Sequence, residues 1–286
     1  MNTFKTFLLL FVLTLILVLA GNIIGGKQGM IIGFIIAVAL NFTSYWFSDK
    51  IVLSMYGAKE VSQNSEPKMY AILQELAAEA QIPVPKLYYI NTPMPNAFAT
   101  GRDPDHAVVA VTEGILKLLD ERELRGVIAH EMSHIKNRDI LIGCVAATVA
   151  GAIMIVARFA FFFGGREERN PVAGILFMIL APIAATLIQM AISRSREYIA
   201  DETGGAISKD PLSLANALRK LAQGNSKLNN QVSPQSAHMF IVSPFSAKNA
   251  ANLFSTHPPV EERIKRLEHM ANAANENKYK IPKVIY

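Results

Sequence analysis

Hydrophobic residues in this chain gather into long uncharged runs, and the charges crowd into the segments between them. Phe7 to Ile24 carries no charge, and Gly29 to Phe47 repeats the pattern after a short break. A bilayer core takes ~20 mostly apolar residues in helical form, so the two runs predict two spans joined as a hairpin. The first run exceeds the ~7–15 residues of a signal-peptide core, and a second span follows almost at once. An uncleaved anchor is therefore expected. Ile140 to Phe163 predicts a third span, with Arg158 near its far end, where a long side chain can reach the interface. Pro171 to Ser193 predicts a fourth, kinked at Pro182. Only Gly164 to Asn170 separate these two, which makes a second hairpin.

Between and after the runs the periodicity changes. Ser65 to Gln81 predicts a helix with Ser65 as its N-cap and Pro67 in its first turn. Leu87 to Ile90 and Ala107 to Thr112 predict strands, separated by a turn-rich stretch, NTPMPNAFATGRDPD. Glu113 to Leu119, Glu121 to Asp139, Arg194 to Ala206 and Leu212 to Gln223 predict helices. Gln223 to Ser236 is polar and reads as loop, and a last helix starts at Pro258 and runs past His269.

Composition sharpens this picture in two places. The one cysteine, Cys144, lies in an apolar run, so no internal disulfide is possible and packing is its expected role. The net charge of +5 comes from basic residues interspersed with acidic ones, without the dense basic run that nucleic-acid binding would need. Two hairpins put the N-terminus, Ser48–Asp139 and the tail after Arg194 on one side. Lys5, Lys50, Lys59, Lys136, Arg138, Arg194 and Arg196 cluster there, against Lys27, Arg166 and Arg169 on the other. Lys and Arg accumulate on the cytoplasmic side of spans, so the soluble parts are expected in the cytosol of a multi-pass membrane protein.

The expected fold class is thus a mainly α membrane protein. It has four transmembrane helices and a cytosolic α+β domain built around the helix that carries His130 and His134. The expected divisions are 1–48 for the first hairpin, 49–139 for the first part of the catalytic domain, 140–193 for the second hairpin, and 194–286 for the second part.

The chemistry concentrates in Ala129-His130-Glu131-Met132-Ser133-His134. Residues four apart share a helix face, so His130 and His134 can aim at one Zn2+ ion, which accepts imidazole nitrogens. Glu131 can reach a zinc-bound water without ligating, and is assigned as general base. A catalytic zinc takes three protein ligands. His134 lies just before the third apolar run and Glu197 just after the fourth, so the hairpin brings them to the same membrane boundary and makes Glu197 the third ligand. Asp201, one turn beyond, is assigned to hold His130 through its second ring nitrogen. His106, His238 and His269 have no such neighbours.

HEMSH before the third run, SREYIAD after the fourth, NAFATG before a strand and THPPVEERI near the end together resemble the HtpX family of bacterial membrane metalloproteases. These are relatives of the eukaryotic CAAX prenyl proteases within the gluzincin group. The resemblance spans nearly the whole chain, and His130, Glu131, His134, Glu197 and Asp201 all match it. It implies a zincin-like cytosolic domain in a zinc endopeptidase embedded in the inner membrane, which degrades unfolded or misassembled membrane and cytosolic proteins in an envelope stress response. It implies Asn96 as a substrate-backbone partner. His257 is implied as an oxyanion donor or a resting-state zinc ligand, with helix-entry packing as the alternative. Arg263 is implied as a structural partner to a carboxylate near the site. Ala107 to Thr112 can supply the edge strand for an extended peptide. A zinc-stabilised scaffold would be expected to carry a damaged HExxH, and a transporter to carry ionisable groups mid-span; neither is seen. Oligomeric state is not legible.

Overall fold

The computed structural model describes residues 2–141, 194–227, 241 and 258–278. The third predicted span beyond Ile140 and Leu141, and the whole of the fourth, lie outside the described residues, as do Cys144 and His257. The chain divides into two compact units. Among the described residues one holds 2–55, 100–103 and 138–141, and the other holds 56–99, 104–137 and 194 onward.

The first unit is built on α1 (Asn2–Met55), which is two helices meeting at Gly25 and Gly26. Gly26 has φ +57° and ψ −142°, a conformation L side chains avoid, so glycine makes this turn possible. The limbs fold back on each other: a Cβ on Gly29 would stand 2.1 Å from the carbonyl oxygen of Gly21. Farther along, the Asn41 side-chain amide donates to Thr14 Oγ1 at 2.9 Å. Such a cross-helix hydrogen bond fixes register where apolar contacts alone do not. The second limb, Gly25–Phe47, is long and apolar enough to cross a membrane, whereas the apolar part of the first, Leu10–Asn22, is shorter.

The second unit is α+β. Its sheet has the order β1-β2-β4-β3, from β1 (Lys59–Val61), β2 (Lys86–Ile90), β3 (Ala97–Thr100) and β4 (Val108–Thr112). β1 runs antiparallel and β4 parallel to β2, with Lys86 opposite Val108. β4, buried at every position, is interior, which corrects the expectation of an edge strand there; the edges are β1 and β3. β3 falls in the stretch expected to be turns. Its start is tied to β4 by Thr112: the Asn96 amide donates to Thr112 Oγ1 at 2.9 Å, and the Thr112 amide donates to the Asn96 carbonyl.

The described helices of this unit are α2 (Pro67–Ala80), α3 (Glu113–Leu118), α4 (Glu121–Lys136), α5 (Arg194–Ser208), α6 (Pro211–Lys227) and α7 (Val260–Lys278). Glu66 rather than Ser65 occupies the N-cap of α2. Pro67 fixes the first turn, and the Ser65 hydroxyl instead donates to the Ser62 carbonyl. α4 starts in a complete capping box between Asp120 and Glu123. It packs against α2, α5 and α6, and it is buried almost all round because it is the central helix. On α6, Leu214, Ala217, Leu218 and Leu221 recur at helical spacing and are buried.

Candidate metal centre

Helix periodicity builds the centre from two helices. His130 and His134 lie one turn apart on α4, and Glu197, Asp201 and Gly204 form a buried stripe on α5. The contacts descend along α4 as they ascend along α5. Glu197 faces His134 and His130, Ala200 faces Ser133, and Gly204 faces His130 and Ala129, so the two helices run antiparallel.

Ligand atoms of His130, His134 and Glu197 all lie within 4.8 Å of one another. His130 Nε2 is 3.7 Å from Glu197 Oε2, and His134 Nε2 is 3.7 Å from Glu197 Oε1. A tetrahedral ion with bonds of ~2.0–2.1 Å has neighbouring ligand atoms roughly 3.3 Å apart, so Glu197 stands a few tenths of an ångström from that spacing to each histidine, and all three groups converge on one site. Two imidazoles and one carboxylate are also the donor set of a catalytic site that keeps a position open.

The surroundings make the same point through charge. Glu131, Glu197, Asp201 and Arg263 are all buried beside the two histidines. Three carboxylates against one guanidinium leave this group two charges negative when the imidazoles are neutral. A divalent cation would offset that charge; without one, burial favours protonation of such groups, as it does for Glu131.

Asp201 Oδ1 lies 3.1 Å from His130 Nδ1, where a modest turn of the ring aligns the N–H with the carboxylate and leaves Nε2 to face the ion. Arg263, from α7, is fully buried and grips Asp201 with two charge-assisted bonds, Nε to Oδ2 at 2.8 Å and Nη2 to Oδ1 at 2.7 Å. Its Nη1 donates to the Ile241 carbonyl at 2.7 Å, and its Nη2 also comes within 3.5 Å of His130 Nε2. Burial works to raise the Asp201 carboxyl, but the Arg263 charge and hydrogen bonds outweigh it and hold the group below its ordinary range. Arg263 itself is pushed upward, since Asp201, Glu197 and Glu131 overcome its burial.

Glu131 occupies the remaining side. Its Oε2 accepts the amide hydrogen of Ala99, on edge strand β3, at 2.9 Å. Burial pushes this carboxyl upward and Glu197 adds to it, while His130, His134 and the Ala99 amide pull it back. Asn96 sits at the base of β3, only 2% exposed, and its Oδ1 takes the Ile241 amide hydrogen at 3.3 Å.

The residues singled out from sequence thus fall together, except His257, which lies outside the described residues. Three participants escaped sequence reasoning: the Ala99 amide, Ile241 and Ser133. Two of them act through backbone groups that carry no side-chain signal, and Ser133 reads as filler between the histidines.

Residues 63–271 match the profile of peptidase family M48. Over 277 residues the chain is 53% identical to a protease HtpX homolog of Ralstonia nicotianae, covering 94% of this chain and 97% of that one. Identity to the protease HtpX homolog of Persephonella marina is 55% over 282 residues, covering 95% and 98%. Among solved structures, Ste24p from S. mikatae has a similar fold, with a TM-score of 0.52 at 17% identity. The match covers 89% of this chain and 61% of that longer chain.

Proposed function

This chain belongs to peptidase family M48 and, within it, to the membrane-associated HtpX metalloproteases, and from that premise we propose that it is a zinc endopeptidase in which His130, His134 and Glu197 hold the ion. The observation that carries the reading is the convergence of these three ligand groups beside a buried carboxylate that is not one of them. When bound, zinc polarises the scissile carbonyl and brings the pKa of a water toward ~7.

The chain's own residues do the rest. Glu131 takes the proton of the attacking water as its oxygen bonds the carbonyl carbon, then delivers that proton to the leaving amine nitrogen as the peptide bond breaks. The Ala99 amide fixes one Glu131 oxygen and leaves the other for this transfer. Asp201, clamped by Arg263, keeps His130 in the tautomer that presents Nε2. His257 would either donate to the developing oxyanion or occupy the open zinc position in the resting enzyme, and Asn96 shapes the end of β3 where an extended peptide would lie.

The substrates in this reading are unfolded or misassembled membrane and cytosolic proteins, degraded as quality control under stress. The protein spans the inner membrane several times, with the site facing the cytoplasm. The family membership, the apolar hairpin and the charge distribution support this. The test is cleavage of an unfolded model protein by the full chain in detergent with zinc. Glu131→Gln should retain zinc and lose activity by about 10²–10⁴-fold, the range for a positioned acid–base group. Cleavage at the wild-type rate would show that another group is the base.

A further inference from the structure

Ligands carried by two helices require a fixed distance between those helices, and at one point the α4–α5 seam is closer than a side chain permits. A Cβ placed on Gly204 would stand 2.8 Å from His130 Cα and 2.9 Å from His130 N. Both are backbone atoms, so no rotamer change relieves the clash, and the helices would have to part. One turn along the seam, the fully buried Ser133 hydroxyl ties the same two helices. Its Oγ lies 2.6 Å from the His130 carbonyl oxygen and 3.1 Å from that of Ala200.

We infer that Gly204, supported by Ser133, is a positioning residue for the metal. It sets the α4–α5 spacing at which Glu197 meets His130 and His134, and thereby sets the affinity for the ion. The inference rests on the reading that these three side chains are the ligands. Gly204 lies on the same face of α5 as Glu197 and Asp201, so any displacement it causes is passed along a rigid helix directly to the third ligand.

A natural comparison lies where α4 meets α6 rather than α5. A Cβ on Gly126 would stand 2.5 Å from Ser213 Oγ and 2.7 Å from Leu214 N, on α6. That clash is at least as severe and starts from the same helix, one turn from His130. Yet α6 supplies none of the three ligands, so parting α4 from α6 costs stability without directly separating Glu197 from the histidines. Packing damage and ligand misplacement can therefore be told apart.

The experiment titrates zinc into the metal-free full chain in detergent against a chelating indicator. It also records the visible spectrum of bound Co(II) and measures denaturant stability with chelator present. Gly204→Ala should weaken zinc binding by roughly 10–100-fold, the cost of disturbing outer-shell support, and should change the Co(II) spectrum. Ser133→Ala should shift affinity the same way by less. Gly126→Ala should lose stability while keeping the wild-type zinc affinity and Co(II) spectrum. Wild-type affinity in Gly204→Ala, or an equal loss in Gly126→Ala, would overturn the inference. If Gly204→Ala fails to fold, unchanged zinc binding in Ser133→Ala overturns it instead. A wild-type chain that takes up no zinc overturns the reading of the site, and the inference with it.

Discussion

Arg263 has no exposed surface, so its charge is stabilised almost entirely by what it touches. Both of its strong ion-pair bonds go to Asp201, and the third goes to a backbone carbonyl. Removing one partner of such a pair strands the other in low dielectric, at a cost of about 3–5 kcal/mol. Asp201→Asn should therefore lower denaturant stability by that order, measured on the full chain with chelator present. The pH dependence follows from the sign of the shift. The Asp201 carboxyl is held below its unfolded value of about 3.9. Its contribution is present above that pH and is lost as pH falls through the lower folded value. The stability gap between wild type and Asp201→Asn should hold from neutral pH to about pH 4 and narrow below it. A gap that stays constant into stronger acid would deny the pair its role. Sequence spacing alone places Asp201 one turn from Glu197, but the sequence does not say which distant cation meets it, since Arg263 arrives from another helix.

At the scale of elements, Thr112 joins three of them. It ends β4, its hydroxyl exchanges hydrogen bonds with the Asn96 backbone at the start of β3, and it caps α3 by accepting from the Ile115 amide at 3.2 Å. Thr112→Val keeps the shape and removes those bonds, leaving buried groups unpaired at about 1–3 kcal/mol. A loss of that order in denaturant unfolding is expected; an unchanged midpoint would show that β3 is held by other contacts.

The same region marks the limit of what the sequence reveals. The long, periodic helices are legible because each buries a face against the core, and their ends fall within a few residues of expectation. β1 and β3 are not. They are short edge strands whose backbones pair on one side only, and Asn96 and Gly101 around β3 read as turn residues. Their strand geometry comes from the partner strand. Ser65 shows a related limit: its cap signal is outranked by Pro67, which fixes where the helix begins.

For the whole molecule, the two faces of α1 differ in character. Leu13, Leu17 and Ala37 are buried between its limbs, while Phe34, Ile35, Ile31 and Phe42 are more than half exposed to the outside. A contiguous apolar surface of that kind marks a lipid or protein partner. With the uncharged length of Gly29–Phe47, the partner expected is the bilayer. The chain should remain in the membrane fraction through alkaline carbonate extraction; release into the supernatant would show that it is held only at the surface.

In the proposed site two helices from distant parts of the sequence share one zinc ion, His130 and His134 from one and Glu197 from the other. Metal analysis of the purified full chain tests it most directly, comparing wild type with Glu197→Ala. One zinc per wild-type chain and a clear deficit in a folded Glu197→Ala variant is the result expected. Equal zinc in both would mean that the ion, if it is held by His130 and His134 at all, takes its third ligand elsewhere.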